Sequence, residues 1–237
     1  MKNLKTLAAA VALASMSMSA SAALSTYFGE DPTTAGVLGP NSTAARASFL
    51  SGLSGVGNQD FEALTGVQPF NFQFPGTSAP LDATLAGSIG LATSPSTGRF
   101  ATSGTNYITA STGNFTISFA TAVSAFGFNG IDIGDFVTSQ MTLTLTDING
   151  VETEFTVPHS LNIGNTAQAT LFWGIIDDTN SYTSISFANA GGGDTFAFDD
   201  MVIGDVGQIV TNPVPEPTAL LLAGLGLGLM SLRRKKQ

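Results

Sequence analysis

The sequence has no cysteine, one histidine, one tryptophan and three tyrosines. Without cysteine there is no disulfide framework, thiol nucleophile, zinc knuckle or iron–sulfur cluster. A lone histidine, His159, cannot build a multi-histidine zinc site. No G-x-S-x-G elbow is present, so the adjacent Ser160 does not make a serine hydrolase of it. Basic residues are scarce, 8 against 17 acidic, for a net charge of −9. Such a chain is unsuited to nucleic acid, where Lys and Arg on phosphates supply most of the affinity. What is present is 43% hydrophobic residues, 27 glycines and 17 phenylalanines in 237 residues. That apolar content excludes a disordered chain, and phenylalanine at this frequency implies an aromatic core.

The two ends read as addresses. Lys2 and Lys5 precede a short apolar run, and Ala20-Ser21-Ala22 is an A-x-A cleavage site. This is the layout of a secretory signal peptide over residues 1–22, with Ala20 and Ala22 flanking the cut. At the other end Pro215-Glu216-Pro217 introduces an uncharged apolar stretch, residues 218–232, stopped by Arg233, Arg234, Lys235 and Lys236. Fifteen apolar residues are short for a bilayer span. The basic cluster would hold the extreme C-terminus on the cytoplasmic side.

The order Pro-Glu-Pro, short apolar helix, basic cluster resembles the PEP-CTERM sorting tail of Gram-negative bacteria. The resemblance implies an exosortase-like membrane protease as partner, and export to the envelope surface or an exopolysaccharide matrix. Membrane contact would then be confined to the C-terminal helix before processing. The alternative is a permanent tail anchor. Loss of both ends would leave Arg46 and Arg99 as the only basic residues against 16 acidic ones, a net charge of −14.

Between the ends, period-two patterns mark strands. Phe115, Ile117 and Phe119 share one face, as do Met141, Leu143 and Leu145. Residues 151–157 alternate after Asn149-Gly150, a strong hairpin signal. Further strands are expected over 67–74, 85–92, 123–128, 169–176, 182–187 and 195–203. Residues 44–53 are expected as a short helix, capped by Asn41 or Ser42 and ended by Gly55 or Gly57. The fold class is all-β, an antiparallel jelly-roll-like sandwich with one short N-terminal helix. The organisation expected is signal peptide 1–22, N-terminal segment 23–57, β-sandwich 58–206, linker 207–214 and sorting tail 215–237.

Asp60-Phe61-Glu62 after the helix and Phe198-Asp199-Asp200-Met201 near the domain end resemble a carbohydrate-binding-module type of jelly roll. That resemblance implies an early "FE" strand beside a late "DD" strand. Glu62, Asp199 and Asp200 would then hold a structural calcium. No EF-hand loop occurs. Asp132, Asp135, Asp177 and Asp178 sit in turn-like contexts and read as solvated turn residues. Thr142, Thr144 and Thr146 form a T-x-T ladder, read as an ordinary solvent-facing strand, and Trp173 in an apolar run reads as core. The expectation is an exported, non-enzymatic surface or matrix protein, structural or adhesive, with exopolysaccharide as a weak ligand. The rival is a secreted glycan-active enzyme working with Asp/Glu pairs.

Overall fold

The computed structural model describes residues 24–32, 37–76, 79–162, 169–189 and 194–210. The expected signal peptide, with Ala20 and Ala22, and the tail motif from Pro215 to Lys236 lie outside the described residues. Among the described residues no helix is long and apolar enough to cross a membrane.

Eleven strands form one curled antiparallel sheet that folds over on itself. They are β1 (Ser25–Asp31), β2 (Gly57–Gln59), β3 (Phe70–Phe74), β4 (Leu81–Ala92), β5 (Tyr107–Val123), β6 (Ala125–Ile131), β7 (Thr142–Asp147), β8 (Glu152–Thr156), β9 (Thr170–Ile176), β10 (Tyr182–Ala188) and β11 (Thr195–Gly204). Among the described residues one α-helix, α1 (Pro40–Ser51), lies between β1 and β2. The ladder runs β1-β9-β6-β11-β5-β10-β7-β8, with β4 on β5, β3 on β4 and β2 on β11.

The long strand β5 makes the sandwich. Residues Ile108 to Ser111 pair with β11, whereas Phe115 to Ser118 pair with β10. Its partner β4 follows it through both layers and shifts register between Gly87 and Ile89. Gly87, at φ 138°, takes a backbone conformation that L side chains rarely adopt. The fold passes from one layer to the other at this point.

Phenylalanine fills the interior. Phe198 and Phe128 of one layer meet Phe187 and Phe115 of the other, with ring centroids 5.0–5.5 Å apart. Phe115 and Phe187 stack at 4.1 Å on neighbouring strands. Trp173 is buried among Phe128 and Phe155, as its apolar context implied. Each such ring contributes about 1.5–3 kcal/mol through burial.

Strand β9 reads as a continuous apolar run because both its faces are covered. Leu171, Trp173 and Ile175 face the main core, while Phe172 and Ile176 lie under Phe49 and Leu53 at the helix end. Gly29 of β1 permits the approach of α1, since a Cβ there would strike the Asn41 carbonyl.

The helix starts earlier than expected. It spans Pro40–Ser51, with Gly39 as N-cap and no side-chain cap from Asn41 or Ser42. The cap comes instead from β1, where Asp31 Oδ1 accepts the Asn41 N–H at 3.1 Å and Oδ2 that of Ser42 at 2.8 Å. Pro40 suits the first helical turn, which has no backbone acceptor for an N–H. The expected boundary at residue 57 does not separate two bodies. Strand β1 pairs along its full length with β9, and Ala22–Val210 is one compact unit.

Truncation of a central ring should be costly. Phe198→Ala is expected to lower unfolding free energy by about 3–5 kcal/mol in chemical denaturation. A loss below about 1 kcal/mol would contradict this account of the core.

Candidate functional site

A β-bulge in β11 organises one acidic cluster. Between Asp199 and Val202 the register against β6 shifts, and Asp200 adopts φ 49°. The bulge lets Phe198 and Met201 both face the main core. It sends two carboxylates to the opposite surface, onto the loop Thr102–Asn106. Asp199 Oδ2 accepts the N–H groups of Thr102 (2.7 Å) and Ser103 (3.0 Å). Asp200 accepts the Ser103 hydroxyl at 2.9 Å and Asn58 Nδ2 at 3.2 Å. Thr102 Oγ1 lies 2.8 Å from Asp200 and 3.1 Å from Asp199.

Glu62 holds the far end of the same loop. Its Oε1 accepts the N–H of Thr105 at 2.7 Å and that of Asn106 at 2.5 Å. Gly104 is required between them, because a Cβ would overlap the Glu62 carboxylate. The three sequence-predicted carboxylates therefore share one five-residue loop. Phe61 and Glu62 do not form a strand. They occupy a turn after β2, with Phe61 at φ 60°, and Asp60 accepts the Glu62 N–H.

Asp199 and Glu62 are shifted in opposite directions. Burial and the adjacent Asp200 push Asp199 up to about 7, against the pull of the Ser103, Asp200 and Thr102 N–H groups. The Asn106 and Thr105 N–H groups lower the exposed Glu62. Among the described residues, no group of three or more His, Asp or Glu converges as metal ligands. With the loop in this position the acidic oxygens are engaged by N–H and O–H donors.

Three of the supposed solvated turn acids are buried, and this corrects the sequence reading. Asp132, Asp135 and Asp177 are 5%, 7% and 0% exposed. Asp177 Oδ1 accepts the Thr179 N–H (2.9 Å), the Thr179 hydroxyl (2.6 Å) and the Asn180 N–H (3.0 Å). Its Oδ2 accepts Asn180 Nδ2 (3.0 Å) and the Tyr182 hydroxyl (2.7 Å). Burial raises this carboxyl, but those bonds outweigh it and hold it down at about 2. Asp178, beside it, is half-buried.

His159 is also buried rather than a loop ornament. Its Nε2 accepts the Met141 N–H at 2.9 Å, and its Nδ1 lies 2.8 Å from the Ser160 carbonyl. Burial lowers its pKa, and an Nε2 that accepts an N–H belongs to a neutral ring. Ser160 donates to Glu30 through both N–H and hydroxyl, leaving no nucleophile–base pair with His159.

The outer face of the second layer is a polar platform that the sequence did not reveal. In register across six strands stand Asn71, Thr84, Ser118, Ser184, Thr146 and Glu152. The next row holds Ala86, Thr116, Ser186, Thr144 and Glu154. Thr116 and Ser186 hydroxyls are 2.9 Å apart. An open groove of about 390 Å³ lies at the β3–β4 end, lined by Asn71, Gln73, Asp82 and Thr84. The T-x-T ladder was one column of this face. Only register could align it with Ser184 and Ser186, some forty residues further along the chain.

Comparison with known proteins returns one sorting motif and several distant structural matches. Residues 213–235 match the PEP-CTERM protein-sorting motif. That signal implies export through an exosortase system and association with the cell envelope. No curated protein matches the chain. Among solved structures, the K2 cleaved adhesin domain of Lys-gingipain aligns at 10% identity and TM-score 0.43, covering 63% of this chain and 99% of that one. The C-terminal family 22 carbohydrate binding module of Clostridium thermocellum Xyn10B aligns at 14% identity and TM-score 0.35, covering 67% and 98%. A GH87 α-1,3-glucanase catalytic domain aligns at 16% identity and TM-score 0.32, covering 56% of this chain and 30% of that one.

The Asp177 geometry fixes the sign of an acid effect. Its folded pKa lies below the ordinary 3.8, so its contribution is complete above about pH 4 and lost as pH falls towards 2. Asp177→Asn should therefore flatten the stability-versus-pH curve between about pH 4 and 2 in denaturant titrations. An unchanged slope would contradict the assignment.

Proposed function

We propose that the chain is an exported, non-enzymatic protein of the envelope surface or its polysaccharide matrix, and that the polar face of β3, β4, β5, β10, β7 and β8 contacts glycan. The observation that carries this reading is the register-aligned array of hydroxyl, amide and carboxylate groups. Glycan hydroxyls are donors and acceptors, and the array presents both. Its two register rows carry no aromatic ring: Trp173 and Tyr182 are buried, and Phe72, half-buried, reaches only the groove at the β3–β4 end. Binding is therefore weak per site, as hydrogen bonds exchanged with water contribute about 0.5–1.5 kcal/mol each. Many copies on a repeating polymer would make up the difference.

Two features favour a binding role over catalysis. The paired acids available for glycan hydrolysis, Asp132 and Asp135, are buried, and Asp132 is covered by Arg99 at 3.2 Å. The platform carries its carboxylates at opposite margins, Glu152 and Glu154 on β8 and Asp82 at the β3–β4 end, with β5, β10 and β7 between them, rather than facing each other across a cleft.

Calcium enters this reading through Glu62, Asp199 and Asp200. An ion could replace the Thr102 and Ser103 hydroxyl donors and fix the loop more tightly, since calcium takes carboxylate and carbonyl oxygens in flexible geometry.

The test is co-sedimentation of the full chain with the producer's exopolysaccharide, with calcium and with chelator. Binding should occur, and Thr144→Arg/Ser186→Arg, placed mid-platform, should weaken it about tenfold while leaving the circular dichroism unchanged. Release of new reducing ends would establish an enzyme instead. Absence of binding in both conditions would remove the glycan reading and leave the export reading, which mass spectrometry of the mature termini tests separately.

A further inference from the structure

A second acidic cluster lies at the other end of β11. The turn Asp132-Ile133-Gly134-Asp135 follows β6, and Asp194 immediately precedes β11. All three aspartates are at most 7% exposed. The cluster is shaped by backbone. Asp132 sits at φ 63° and Gly134 at φ 109°. Gly98 passes so close to the Asp132 carboxylate that a Cβ would overlap it. One cation is present: Arg99 Nη1 bonds Asp132 Oδ2 at 3.2 Å and the Thr195 carbonyl at 3.0 Å. Three buried carboxyl groups thus face one guanidinium.

A second observation points to a ligand. Asp135 Oδ1 and Asp194 Oδ2 are enclosed and, among the described residues, have no hydrogen-bond donor. Asp194 Oδ1 is occupied, accepting the Thr195 N–H at 2.7 Å. The two side chains lie within hydrogen-bonding reach of each other, and burial together with Asp194 pushes the Asp135 carboxyl up to about 7; two ionised carboxylates this close repel unless a cation or a shared proton stands between them. Burying such a pair without compensation is strongly unfavourable. Asp132 stands beside the pair and contributes to its field. In the geometry described, Arg99 engages Asp132, and the three carboxylates do not converge on one point.

We propose that Asp135 and Asp194, with Asp132 beside them, bind a calcium ion that ties the turn after β6 to the start of β11. The donors are hard oxygens, and the site's charge is balanced by one divalent ion together with Arg99. Calcium suits it better than magnesium, since it accepts irregular oxygen sets and sheds water readily. An exported protein meets calcium at the concentrations that extracellular sites of about 10⁻⁴–10⁻³ M affinity require. The site is separate from Glu62, Asp199 and Asp200, and it does not depend on the glycan reading.

The experiment uses the full chain, stripped with EGTA and titrated with calcium chloride by calorimetry, with thermal unfolding followed in parallel. Wild type should bind calcium and unfold at a higher temperature with it. Asp135→Asn/Asp194→Asn keeps the shapes and removes two buried charges. It should unfold in EGTA no lower than wild type, and lose about tenfold or more of the affinity together with the thermal shift. Glu62→Gln/Asp200→Asn should retain the binding event assigned here. If the double variant does not fold, Asp194→Asn alone carries the same expectation. A wild-type calcium response in the Asp135/Asp194 variants that persists when Glu62→Gln/Asp200→Asn is also in place would overturn the proposal. So would a wild type indifferent to calcium whose unfolding temperature rises as pH falls from 8 to 6, which would show that a shared proton holds the pair.

Discussion

The outer surface of the first layer depends on the bulge at Asp199–Asp200. A regular strand would carry Phe198 and Met201 to opposite faces. The extra residue restores both to the core and turns two carboxylates outward. Those carboxylates hold Thr102 and Ser103, and Glu62 holds Thr105 and Asn106. The loop so fixed brings Phe100 and Tyr107 over Ile131 and Ala197 as a small apolar cluster. Beyond the bulge, β2 adds its three residues to β11, and Val202 joins the cluster beneath α1. Bulges beside functional surfaces commonly serve to aim side chains in this way.

Charge is handled with few cations. Within residues 24–210 the basic residues are Arg46 and Arg99, and both attend acidic clusters. Arg99 meets Asp132, while Arg46 bonds Asn58, which in turn bonds Asp200. The remaining carboxylates rely on backbone N–H groups and hydroxyls, as at Asp31, Asp147 and Asp177. This explains the abundance of threonine and serine beside acids. These side chains supply donors where lysine and arginine are missing.

The strands with one wet face were the most legible. Phe115-Ile117-Phe119 and Met141-Leu143-Leu145 alternate because one side meets the core and the other meets solvent. Strands β6 and β9 were legible only as apolar runs, since α1 and the loops cover their second face. Strand β1 went unread. Its sequence, Ser-Thr-Tyr-Phe-Gly-Glu-Asp, lacks a clean alternation, and it gains its place by pairing with β9 about 145 residues away. The helix start was misjudged because its cap is supplied by Asp31 rather than by a neighbour. Of the candidate site, short motifs singled out Glu62, Asp199 and Asp200 as a metal set on paired strands, whereas the structure spreads them along one loop. That loop, and Asn58 beside Asp200, went unread. The burial of Asp132, Asp135 and Asp177 was missed because turn acids are ordinarily solvated. One signal was available. With two arginines in so acidic a segment, each would be expected to lie where carboxylates crowd most.

The glutamates of β8 have a bearing on neighbours. Strand β8 ends the ladder, is only five residues long, and exposes Glu152 and Glu154. An unpaired strand edge is a template on which a second sheet can grow. Molecules delivered to one surface stand close together, and identical acidic borders meeting there repel. Tight crowding can thus coexist with separate, individually folded units, and the polar platform stays open instead of being consumed by sheet-to-sheet fusion.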